Sequence, residues 1–269
     1  MGTELEKERQ KPVILVVSFG TSYNETRVKT IDVIETAIGE KYPEYEIRRA
    51  FTSPTIIKKL AERDGLIIDN VTDAMERLVA DGIKDVIIQP TLVIPGLEYD
   101  GIIAALRPFV DQFDSIRYGL PLLTSDKDIE QIATVLIDNV RAYTDNSAVV
   151  FVGHGTSHDA NMMYTKLEKS FKDMGYPNCF VGTVESGPTL EDVMSGIAKI
   201  DVDKAVLVPL MIVAGDHALN DVSGDDEDSW LNAFKAKGYA VECILKGLGE
   251  YDGIWNMFAQ HISSAIADA

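Results

Sequence analysis

Cysteine is nearly missing from this chain of 269 residues. Only Cys179 and Cys243 occur, with no CxxC spacing, so the sequence offers no disulfide framework and no thiolate metal site. Positive charge is also short: 25 Lys and Arg stand against 43 Asp and Glu, a formal net charge of −18. Such a surface repels phosphate backbones and argues against nucleic acid as a partner. No run of about 18 apolar residues is present, which excludes a helical membrane span. The opening segment, Met1 to Lys11, is charged and has no apolar stretch of a secretory leader. That points to the cytoplasm, with the periplasm as the alternative had a leader preceded it. GxGxxG, the P-loop, HExxH and GxSxG are all absent, so nucleotide cofactors, zinc proteolysis and serine hydrolysis lose support. Histidine is scarce as well. There are four, and residues 1–145 contain none.

What is present is a regular alternation. Short apolar β-branched runs such as Val13–Val17 fit strands of a parallel sheet buried on both faces. Between them lie segments with apolar residues at helical spacing, for example Glu25 to Lys41 with Val28, Ile31, Ile34, Ala37 and Ile38. This is βαβ architecture and an α/β fold. An internal repeat refines it. Ser18-Phe19-Gly20-Thr21-Ser22 matches Gly153-His154-Gly155-Thr156-Ser157, and Gly96-Leu97-Glu98 matches Gly215-Asp216-His217, in the same order in each half. Two similar α/β lobes follow, residues 1–145 and 146–269. The C-terminal helix, Tyr251 to Ala267, could pack back on the first lobe.

In open α/β sheets ligands bind at the carboxyl ends of strands, and the repeated motifs sit at such ends. His154 lies between two glycines that let the backbone turn sharply; a histidine cap of the turn is the structural alternative. His217 follows a later strand in a run of turn-forming residues. Glu185 follows the strand Phe180–Val184 and is either a helix-capping group or a ligand. Glu98 stands in the first lobe where His217 stands in the second. His158 is four residues past His154, but Gly155-Thr156-Ser157 reads as the start of a helix and argues against shared ligation. His261 falls in the amphipathic C-terminal helix, and the acidic run Asp225–Asp228 reads as charge at a helix N-terminus. Two imidazoles and a carboxylate suit a borderline divalent metal such as Co, Fe, Ni or Zn, held in an open site.

The segments 18–22, 48–53, 153–156, 183–187, 215–221 and 224–230 together resemble the anaerobic sirohydrochlorin cobalt chelatases, the CbiK family. The resemblance implies a two-lobed, ferrochelatase-like fold with each parallel sheet flanked by helices and the active site in the cleft between lobes. It implies insertion of Co²⁺, with Fe²⁺ as an alternative metal, into sirohydrochlorin for cobalamin synthesis. His154, His217 and Glu185 would bind the metal, and one of them would take protons from the pyrrole nitrogens. Co²⁺ is then a substrate, and no permanent cofactor is expected. Some periplasmic members bind haem, but the first lobe has no histidine to ligate it. Arg48, Arg49 and Arg27, with backbone N–H groups of helices opening after Ser22 and Ser157, would meet the carboxylates of the macrocycle, and Glu98 would be a cleft carboxylate. The partners are therefore sirohydrochlorin and a divalent metal ion, with a homo-oligomer also open. A two-lobed carrier of metal or tetrapyrrole would use the same cleft, and both histidines as structural turn residues remain the bland reading.

Overall fold

The apolar runs form eight strands in two parallel sheets, and the computed structural model describes residues 10–267. The first sheet holds β1 (Val13–Ser18), β2 (Glu46–Phe51), β3 (Asp85–Pro90) and β4 (Ser115–Tyr118) in the order β2-β1-β3-β4. The second holds β5 (Ala148–Gly153), β6 (Cys179–Thr183), β7 (Lys204–Pro209) and β8 (Ala240–Cys243) in the order β6-β5-β7-β8. The second order is the first with each strand shifted by four, so the repeat in sequence is a repeat in topology. The central strands β1 and β5 are buried along their whole length, which accounts for their continuous apolar character.

Helices α1 (Asn24–Lys29), α2 (Ile31–Lys41), α3 (Pro54–Asp64), α4 (Val71–Ala80) and α5 (Leu97–Leu106) accompany the first sheet, and α6 (Asp126–Val140) leads from it to the second. Helices α7 (Met162–Asp173), α8 (Leu190–Ile197) and α9 (Trp230–Ala236) accompany the second, and α10 (Asp252–Ala267) completes the described chain. The expected single helix from Glu25 to Lys41 is two helices. It breaks at Thr30 (φ −123°, ψ −78°), whose hydroxyl turns back to the carbonyl of Thr26. There the segment 247–249 crosses it so closely that a Cβ on Gly249 would lie 2.8 Å from the Thr30 Cβ.

Helix α10 lies against α2, α6 and the strands β3 and β4 of the first sheet. Ile254, Phe258 and Ile262 bury its inner stripe in a core that also contains Ile34, Ile38, Ile132 and Leu136. Burying side chains of that size stabilises by about 1.5–3 kcal/mol each. Polar anchors fix the contact: the Tyr42 hydroxyl bonds to the Ala259 carbonyl and Ser263 Oγ, and His261 is held between the Leu120 carbonyl and Asp128 Oδ1. Among the described residues no helix is long and apolar enough to cross a membrane. Cys179 is buried, and that burial pushes its thiol up to about 12, which leaves it inert.

Candidate metal centre

The two glycine loops at the ends of β1 and β5 are built alike. Gly20 and Gly155 both adopt positive φ, 98° and 86°, where a side chain is strained. Beneath Gly155 sits Thr183, which a Cβ would approach to 2.8 Å. This turn lifts His154 off the end of the sheet. Glu185 is aligned beside it by the backbone: Val184 N–H donates to Gly153 O and Glu185 N–H to His154 O, so the ladder between β5 and β6 runs on past the strands. His217 arrives from beyond β7, on the segment that opens the π-helical turn Ala218–Val222.

The three side chains converge. One ligand atom from each of His154, Glu185 and His217 lies within 4.8 Å of the others, and among the described residues this is the one such cluster. The imidazoles meet edge to face, with centroids 4.5 Å apart and planes at 86°. Nε2 of His154 is 3.6 Å from Glu185 Oε1. Two ligands of one tetrahedral ion at metal distances of 2.0–2.1 Å would stand roughly 3.4 Å apart, so this pair is already spaced to share an ion. The side chains are accessible, 45% exposed for His154 and 39% for His217, as a site that receives an ion requires.

Hydrogen bonding fixes how each ring presents itself. His154 Nδ1 is 2.9 Å from the Gly155 carbonyl and His217 Nδ1 is 2.7 Å from Asp221 Oδ2. Carbonyl and carboxylate oxygens only accept, so both Nδ1 atoms carry a hydrogen, and in the neutral rings both Nε2 lone pairs are left for a metal. Sequence reasoning does not single out Asp221; its i+4 spacing from His217 is the signal that could find it. Asp221 and Glu185 also border an open cavity of about 500 Å³ lined by Glu191, Asp226, Asp228 and Trp230. Two residues of the run 225–228, Asp226 and Asp228, thus face a cavity beside the triad, and the run also precedes α9, whose cap is Ser229.

The opposite wall belongs to the first lobe. Phe19 takes the place that His154 has in the second lobe and is 46% exposed, and Leu97 is exposed as well. Glu98, in the first turn of α5, has open surface, yet the surrounding protein strips enough water to raise its carboxyl above the ordinary value, an effect the His154 imidazole partly offsets. The repeat is therefore chemically asymmetric: where the second lobe has His154, Asp216 and His217, the first has Phe19, Leu97 and Glu98. Two exposed contacts tie the lobes: the Tyr23 hydroxyl donates to Asp216 Oδ1 at 3.0 Å, and His158 Nε2 lies 3.4 Å from Asp100 Oδ2.

Several expected residues lie elsewhere. Arg48 is paired with Glu46 and with Asp81, which precedes β3, so it sits toward the amino ends of the strands, away from the cleft. Arg49 is bound to Asp32 and Glu35 of α2. Both guanidiniums are satisfied inside the first lobe and neither joins the cluster. Arg27 leans on Asn24. Ser22 is buried, with its carbonyl taken by Arg63, and the helix that follows, α1, has only 6 residues. After Ser157 comes a 3-10 turn, Asp159–Asn161, that leads into α7; His158 Nδ1 accepts from Ala160 N–H, and Asn161 Oδ1 accepts from Thr156 N–H. Those donors are spent locally. His261 is buried and structural.

The family model for cobalt chelatase (CbiK) matches residues 12–267. A sirohydrochlorin cobaltochelatase of Salmonella typhimurium is 39% identical over 256 residues, covering 95% of this chain and 97% of that one. The sirohydrochlorin cobaltochelatase CbiKC of Nitratidesulfovibrio vulgaris is 30% identical over 260 residues, 96% of this chain and 91% of that one. Among solved structures, SirB from Bacillus subtilis with Fe³⁺ superposes with a TM-score of 0.65 at 15% identity, covering 96% of this chain and 97% of SirB, a likeness of fold. With a match across nearly its whole length and relatives at these identities, the chain belongs to the CbiK family of cobalt chelatases.

Proposed function

We propose that this protein is a sirohydrochlorin cobaltochelatase, an enzyme that inserts Co²⁺ into the macrocycle on the route to cobalamin. The observation that carries this reading is the convergence of His154, Glu185 and His217 on one open point of the cleft, in a chain of this family. The two Nε2 atoms and Glu185 Oε1 form a nitrogen and oxygen donor set that accepts Co²⁺ and also Fe²⁺. Without thiolates, and with donors splayed to as much as 4.8 Å, the set can collect an ion and give it up to four pyrrole nitrogens. The acidic surface and the carboxylates beside the triad favour approach of a cation.

Metal insertion exchanges one Co²⁺ for two N–H protons of the macrocycle, so two protons must leave. Glu98 faces His154 and has a carboxyl with raised proton affinity, which suits it to accept one; an imidazole released by the metal can accept the other. The apolar faces of the macrocycle suit the Phe19 and Leu97 wall. A carrier would bind the same molecules without turnover, and nothing in the cleft favours that over chelation.

The test is the absorbance change when purified protein, Co²⁺ and sirohydrochlorin are mixed. Wild type accelerates it, and His154→Ala slows it by about 10²–10⁴-fold, the usual worth of a group that moves protons. No acceleration by wild type, or full rate in His154→Ala, overturns the proposal.

A further inference from the structure

The two histidines are held by different means. The Nδ1–H of His154 is taken by a backbone carbonyl, that of Gly155, which no substitution removes. The Nδ1–H of His217 is taken by a side chain, Asp221 Oδ2, at 2.7 Å. The pair lies at i,i+4 across a single π-helical turn of 5 residues, where Ser223 N–H reaches back to the Ala218 carbonyl and Gly224 N–H to Asn220. This wide turn places the carboxylate under the imidazole.

From this arrangement we infer that Asp221 is a positioning residue: it holds His217 in the Nδ1–H tautomer with Nε2 turned toward the incoming divalent cation. The inference rests on the proposed role of His217 in holding the metal. A carboxylate has no hydrogen to donate, so the 2.7 Å contact is made only when Nδ1 carries one, and in the neutral ring the other nitrogen then keeps its lone pair. A short hydrogen bond to a carboxylate also restricts ring rotation, which matters at a side chain 39% exposed to water. Stability is a poor explanation for the pair. Partly exposed i,i+4 pairs contribute little to stability, and Asp221 is itself 41% exposed.

Asp221 also borders the acidic cavity, so it could help simply as one more negative charge. The two roles separate in a double-mutant cycle, because positioning acts through His217 and attraction of a cation does not. Binding of Co²⁺ alone, without macrocycle, is followed by its visible absorption in wild type, Asp221→Ala, His217→Ala and the double variant. Removing an outer hydrogen-bond partner of a metal-binding histidine typically costs about 10–100-fold in metal affinity. Asp221→Ala is expected to lose that much in the wild-type background and to lose nothing further in the His217→Ala background. In turnover the loss falls on KM for Co²⁺ more than on kcat.

The nitrogen chemical shifts of His217 in the metal-free protein give a second readout. Wild type shows the hydrogen on Nδ1, and Asp221→Ala shows a shift toward Nε2–H. An unchanged tautomer in Asp221→Ala overturns the inference, as does a loss of Co²⁺ affinity that persists undiminished without His217. Should wild type bind no Co²⁺, the proposed function fails, while the tautomer measurement still decides the role of Asp221.

Discussion

Tyr23 of the first lobe donates its hydroxyl to Asp216 of the second, the residue immediately before His217. Its counterpart across the pseudo-repeat is the approach of His158 to Asp100, two residues beyond Glu98. Each lobe thus sends the residue after its first glycine loop to touch the segment that follows the other lobe's third strand, a loop at Asp216 and the first turn of α5 at Asp100. The hydrogen bond to Asp216 raises the Tyr23 hydroxyl above its ordinary value, with burial and the Asp216 charge adding to it.

Tyr23→Phe should therefore lower stability slightly at neutral pH. A group whose folded pKa is raised stabilises the fold below its unfolded pKa and loses that contribution as pH climbs through the folded value. The gap between wild type and Tyr23→Phe should hold up to the ordinary range of tyrosine ionisation and close in more alkaline solution. Urea unfolding at a series of pH values checks this; a gap that widens with pH refutes it.

Arg49→Ala should damage the fold and spare the substrate. Glu35 is largely buried, and burial raises its carboxyl even though Arg49 pulls the other way. Removing the guanidinium leaves that group without its partner, at a cost of about 1–3 kcal/mol. Arg48→Ala, on a more exposed pair of carboxylates, should cost under about 1 kcal/mol. Neither should change sirohydrochlorin affinity by equilibrium titration, and a fall in affinity at unchanged stability would return these arginines to the cleft.

Gly155→Ala should destabilise by about 1–3 kcal/mol, the usual cost of a residue forced into a sparsely populated backbone region. The new Cβ would also press on Thr183 at 2.8 Å. Because this loop carries His154, Co²⁺ affinity should fall along with the urea midpoint. Gly175→Ala is the control: φ is 90° there too, but nothing lies within 4 Å, so it should cost less and leave Co²⁺ binding intact.

His261→Ala should reveal a purely structural histidine. It strands Asp128 Oδ1 beneath α10 at a cost of about 1–3 kcal/mol. The thermal midpoint should drop, while the Co²⁺ insertion rate per folded molecule stays the same.

Much of this molecule was legible in the sequence because its signals are local or repeated. The buried runs of β1 and β5 announce parallel sheets, and the two glycine loops announce the repeat that the strand orders reproduce. His154, Glu185 and His217 stood out because each lies just past a strand in a turn-rich segment. What was not legible depends on partners distant in the chain. Arg48 and Arg49 look like free cations until β2 pairs with β1 and brings Arg49 against α2. The break at Thr30 needs segment 247–249 to cross it, and the tie between Tyr23 and Asp216 needs both lobes assembled.

The return of α10 to the first lobe has a consequence for how the protein is made. The half synthesised first has an unfinished interior, because the faces of α2 and α6 next to Tyr42, Leu120 and Asp128 stay bare until residues 252–267 leave the ribosome. A nascent first lobe must therefore wait, sticky on one side, through the production of an entire second lobe. Delay or truncation late in translation should hurt this protein as much as an error near its start.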